Sequence, residues 1–144
     1  ADIERSVPET NFYRTNLVKC LPTIRGKIRY PSQKEMETCY PHLKQELDAL
    51  SPRLVFLLGA QVANFIFQRT AKQPPPLDAS FRYEIIDIGT RRYVPIHHPS
   101  FISIYRHSAK QKYIDEIAQL IHSSNAPASL RRSPNFTDHV FAYA

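Results

Sequence analysis

The 144 residues make about one domain, and 42% hydrophobic with 22% charged residues is the balance of a chain that buries a core. The longest apolar run, Leu54 to Leu58, is far too short to span a membrane, the first residues are polar and acidic unlike a signal peptide, and three glycines cannot build a Walker A loop or a dinucleotide fingerprint. Nineteen Lys and Arg against thirteen Asp and Glu give a formal charge of +6, which favours anionic partners, nucleic acid being the commonest, and the expected chain is soluble and intracellular.

Residues 12–18, Phe-Tyr-Arg-Thr-Asn-Leu-Val, are β-rich and predict a short strand that delivers Asn16, then Lys19 and Cys20, at its carboxyl end. Residues 21–31 carry Arg25, Lys27 and Arg29 with two prolines and a glycine, the composition of a basic loop. Ser32 followed by Glu35 is a capping box, and it opens a helix whose inward face is Met36, Tyr40, Leu43, Leu47 and Leu50. Pro41 is expected to bend or restart that helix. Leu54 to Leu58 predicts a strand buried on both faces and closed by Gly59, after which Val62, Phe65 and Ile66 mark a helix over 61–69. Beyond a stiff Pro74-Pro75-Pro76 connector, residues 83–88 and 92–96 predict two strands across a Gly89-Thr90 turn, the second running into His97-His98-Pro99-Ser100. Residues 110–123 predict a helix with Ile114, Ile117, Ala118 and Ile121 inward. This order is that of an open α/β/α sandwich with a small, mostly parallel sheet, one domain over residues 1–123 followed by an irregular tail over 124–144.

Such folds hold ligands beyond the carboxyl ends of their parallel strands, where Asn16 and His98 both fall. An amide can read the Watson-Crick edge of a pyrimidine, and an imidazole can donate to an oxygen that gains negative charge. The same residues also suit structural duty, Asn16 capping a loop and His98 preceding a turn-forming proline. Cys20 and Cys39, with eighteen residues between them, could form a single disulfide, but without a secretory signal the expectation is two reduced thiols or two metal ligands; His42 would make a third zinc ligand, with no fourth in view. His97 and His98 are expected on opposite faces, and Arg91-Arg92 and Arg131-Arg132 are phosphate contacts or solvated charges.

Four strings in series resemble the iron-sulfur, or family 4, uracil-DNA glycosylases across roughly residues 12–115. They are Thr15-Asn16-Leu17-Val18-Lys19-Cys20-Leu21-Pro22; Pro31-Ser32 with Glu35, Cys39 and Pro41-His42-Leu43; Leu50 to Val55 continuing to Leu58-Gly59; and His98-Pro99-Ser100. The resemblance implies a uracil-DNA glycosylase-like fold and hydrolysis of the N-glycosidic bond of uracil in single- or double-stranded DNA, as in base-excision repair. It implies that His98 stabilises charge on the departing base, that Asn16 reads the flipped uracil, and that Ser100 and Arg106 lie on a loop entering the DNA. Lys19, Arg25, Lys27 and Arg29 would complete a basic DNA-binding rim. Cys20 and Cys39 would be two of the four thiolates of a [4Fe-4S] cluster, bound only if two further cysteines come from outside this chain. Family members open with a strand, a Gly-rich loop bearing an acidic residue that places water, and a Cys-x-x-Cys. The expectation is therefore a processed or partial chain lacking that first strand, with a protein partner as one source of it. The competing expectation is a non-catalytic member of the fold that binds DNA or a protein partner.

Overall fold

The Ser32 hydroxyl accepts from the Glu35 backbone N–H at 3.2 Å while the Glu35 carboxylate accepts from the Ser32 N–H at 2.8 Å, so the reciprocal cap written in the sequence starts α2 (Gln33–Leu50). Pro41 lies inside this helix, which neither stops nor restarts there. Pro41 and Glu37, the residue whose carbonyl loses its partner, are both exposed, so the break in the helical ladder falls on the solvent side of the helix.

The structure is a computed structural model that describes residues 2–8, 10–124 and 139–143. In chain order its elements are α1 (Asp2–Ser6), β1 (Asn11–Thr15), β2 (Thr23–Ile24), β3 (Lys27–Ile28), α2, β4 (Leu54–Leu58), α3 (Ala60–Phe67), β5 (Ile86–Ile88), β6 (Arg91–Ile96), α4 (Pro99–Tyr105), a 3-10 turn, α5 (Lys110–Ser123) and β7 (His139–Tyr143). The main sheet runs β1-β7-β4-β6-β5, parallel throughout except at the β5 edge. Along β4, Leu54 and Phe56 pack with Val94, Ile114 and Ile117, whereas Val55 and Leu57 pack with Leu43, Leu47 and Phe65. Helices thus cover both faces, as expected of an α/β/α sandwich, and each fully buried side chain of this kind contributes about 1.5–3 kcal/mol.

Two expectations need correction. The tail expected to be irregular supplies β7, which lies between β1 and β4 with Tyr143 level with both Thr15 and Leu57. β7 thus occupies the interior slot of the sheet between β1 and β4. The basic loop contains the β2–β3 hairpin, turned by Arg25 and Gly26 at φ 49° and 76°, the paired positive φ values of a tight two-residue turn. Residues 125–138, Arg131 and Arg132 among them, lie outside the described residues.

The hairpin is clasped to α2. Arg29 donates to both Glu35 carboxylate oxygens at 2.9 and 2.5 Å, its backbone N–H donates to the Pro22 carbonyl at 3.1 Å, and Gln61 Nε2 donates to the Pro31 carbonyl at 3.0 Å. The Arg29 guanidinium, with help from the Ser32 N–H, holds the Glu35 carboxyl down at about 2. A depressed carboxyl stabilises the fold above its ordinary value of 4.5, and that contribution is lost as pH falls toward 2. Protection of the amides of residues 21–31, relative to their intrinsic exchange rate at each pH, should therefore fall across this window and stay level between pH 5 and 7. Glu35→Gln should lower that protection above the window and abolish the acid dependence.

Candidate functional site

The carboxyl ends of β1, β4, β6 and β7 share one edge of the sheet, where β1 hands the chain to Asn16, β4 to Gly59 and β6 to His97-His98. A cleft of about 990 Å³ opens there, and Asn16, Cys20, Arg29, Gln61, His97, His98 and Ser100 are among the polar side chains that line it. Gly59 sits at φ 102° and donates its N–H to the Ile96 carbonyl at 2.8 Å, sewing together the strand ends that carry the site. That backbone conformation strains any residue with a Cβ.

His98 is the N-cap of α4. Its Nδ1 accepts the Ser100 backbone N–H at 3.1 Å and lies 2.6 Å from the Ser100 hydroxyl. A nitrogen that accepts an N–H carries no proton of its own, so the neutral ring bears its proton on Nε2. Burial lowers the pKa of His98 below the ordinary imidazole value, which keeps this donor tautomer in place at neutral pH. His97 is held separately: its Nδ1 pairs with the Tyr83 hydroxyl at 2.6 Å, its ring stacks on Phe101, and its carbonyl accepts the Tyr113 hydroxyl at 2.8 Å. Tyr113→Phe leaves that buried carbonyl unpaired and should cost about 1–3 kcal/mol in a urea titration, while Phe packs in the same space.

The remaining sequence candidates divide clearly. Ser100 is not on a loop: His98 as cap and Pro99 as first residue start α4, and Arg106 is the non-helical residue that joins the end of α4 to the 3-10 turn. Lys19 pairs with Glu46 at 2.8 Å and Arg29 with Glu35, so carboxylates offset both charges. Arg91 and Arg92 pair with Asp48 and Asp87, the solvated-face arrangement. Arg25 and Lys27 are exposed on the hairpin with no ion pair among the described residues. Gln61 and the aromatic residues Tyr30, Phe101 and Tyr105 were missed; Gln61 could have been found from its place in the first helical turn after an apolar strand.

Cys20 is exposed in the cleft and Cys39 half-buried on α2. A [4Fe-4S] cluster takes four thiolates, this chain has two cysteines, and no three His, Cys, Asp or Glu converge among the described residues. The donors of this chain therefore do not fit such a cluster.

Residues 2–122 match the uracil DNA glycosylase superfamily, and the chain belongs to that superfamily. Within it, the chain is similar to type-4 uracil-DNA glycosylases. It is 27% identical to that of Archaeoglobus fulgidus over 118 residues, 75% of this chain and 54% of the relative. It is 33% identical to that of Pyrobaculum aerophilum over 63 residues, 44% of this chain and 31% of the relative. The chain thus spans about half the length of the Archaeoglobus protein.

Proposed function

We propose that the cleft receives a uracil nucleotide extruded from DNA and that its N-glycosidic bond is hydrolysed there. The observation that carries this reading is the His98 imidazole, locked as a neutral Nε2–H donor in the same cleft as the Asn16 amide. As the bond from C1′ to N1 breaks, its electron pair moves onto the base and charge gathers on the carbonyl oxygens, where a fixed donor lowers the barrier. Asn16 accepts from the uracil N3–H and donates to the adjacent carbonyl, a pattern that cytosine cannot match. Water adds at C1′ and its proton passes to the departing anion or to solvent. Gln61, with Nε2 committed to the Pro31 carbonyl, has its amide oxygen left to orient that water. Acting on DNA, the protein would work inside the cell, and no described helix is long and apolar enough to cross a membrane.

Uracil release from a single-stranded oligonucleotide tests the reading. Asn16→Ala should erode the preference for uracil over cytosine while leaving affinity for uracil-free DNA intact; an equal loss for every DNA would sink the assignment. No Asp or Glu lines the cleft among the described residues, and this favours a second reading, a DNA-binding member without turnover. Tight uracil-dependent binding with no base released would decide for it.

A further inference from the structure

We infer that the mouth of the cleft grips unstacked, single-stranded DNA by stacking bases on Tyr30 and Tyr105, one on each side of the target nucleotide. The inference deepens the proposed function and rests on it for the identity of the central nucleotide. Among the described residues, seven large apolar side chains stand exposed, and six of them belong to the two segments that flank the cleft. Leu21, Ile24, Ile28 and Tyr30 come from the hairpin segment, and Ile104 and Tyr105 from the end of α4. Tyr30 is 85% exposed and Tyr105 68%, yet both line the cleft, which puts their rings at its rim.

Charge selects the occupant. Residues 10–34 and 88–114, which contain these segments, hold eleven of the nineteen Lys and Arg and no Asp or Glu. Six of these cations pair with carboxylates from elsewhere in the chain, Lys19 and Arg29 among them, whereas Arg25 and Lys27 on the hairpin have no ion pair among the described residues. Apolar rings beside such cations suit a polyanion that also presents flat apolar faces, and single-stranded DNA is such a polymer. A duplex offers these rings phosphates and base edges, because its base faces are already stacked.

The internal geometry supports the same occupant. Tyr105 lies 5.7 Å from Phe101, and Phe101 stacks at 5.4 Å and 12° on His97, so a flight of rings climbs from the cleft floor to its lip. A base on Tyr105 would add the next step. On the other lip, Arg29 donates to the Tyr30 carbonyl at 3.1 Å while bound to Glu35, which fixes the backbone that presents the Tyr30 ring.

Fluorescence anisotropy with uracil-free probes tests the inference independently of any base release: oligodeoxythymidylate, an abasic strand with the same number of phosphates, and the matching duplex. Oligodeoxythymidylate should bind at least tenfold more tightly than either of the others. Tyr30→Ala and Tyr105→Ala should each remove roughly five- to tenfold of that advantage, and Tyr→Phe at either position should keep it, with the salt dependence unchanged in all four variants. The chain has no Trp, so quenching of tyrosine emission by thymine, absent with the abasic strand, is a second readout. Equal affinity for the abasic strand, undiminished discrimination in the Ala variants, or no DNA binding at low salt would overturn the inference, the last assigning the rim to an apolar protein partner. If uracil is never released but these preferences hold, the glycosylase reading fails while the grip on single-stranded DNA stands.

Discussion

His98→Ala should slow uracil release by about 10²–10³-fold in single-turnover experiments, the usual consequence of removing a donor aimed at developing charge. Affinity for uracil-containing DNA should change little, because the donor matters most when the base carries its anionic charge. The pH profile gives a separate check. Protonating His98 would place a second N–H on Nδ1, facing the Ser100 N–H that it now accepts, so the charged ring breaks its own cap. Burial already disfavours that state. Release by the parent protein should therefore be level from neutral pH down to the ordinary imidazole value of 6.5 and fall only below it, and this limb should vanish in the variant. Release within a fewfold of the parent rate would remove His98 from the chemistry.

The second large effect concerns the sheet. Ala142→Pro in β7 should destabilise the protein by on the order of 3 kcal/mol, since β7 has a neighbour on each side and a proline there deletes a ladder bond and crowds the adjoining strand. Against a typical total of about 5–15 kcal/mol, that is a large share. The damage should be selective. β1 has β7 as its partner in the sheet, while β4 and β6 pair directly with one another. Amide exchange should rise first in Asn11–Thr15, and Asn16 should part company with His98 while the β4–β6 ladder persists. Unchanged exchange in β1 would contradict this order of unfolding.

The parts of the fold legible in the sequence were those written in neighbouring residues. The Ser32–Glu35 cap, the unbroken apolar run of β4 and the inward face of α5 each carry their own signal. β7 does not: its five residues become a strand because β1 and β4 leave a gap between them, a fact spread over the whole chain. α4 escaped because its cap is an imidazole, outside the usual Ser, Thr, Asp and Asn repertoire, and His-Pro reads locally as a turn. At the site, strand ends alone placed Asn16 and His98 on one edge, and both line the cleft. The part played by Ser100 depended on a ring orientation that spacing cannot encode. Lys19 and Arg29 looked like free cations because Glu46 and Glu35 approach them only once α2 has formed.

β7 runs parallel to β1 and β4 and stops level with Thr15 and Leu57, one residue short of Asn16 and two short of Gly59. A strand extended past Tyr143 in the same direction would run toward the edge of the sheet that carries Asn16 and Gly59. A purification handle or fluorescent protein spliced there would act as a cork, silencing the protein without touching a single side chain of the site. Reporters are better carried on the outward turns of α2, for instance at the exposed Lys44, several turns beyond the end of the helix that faces the opening.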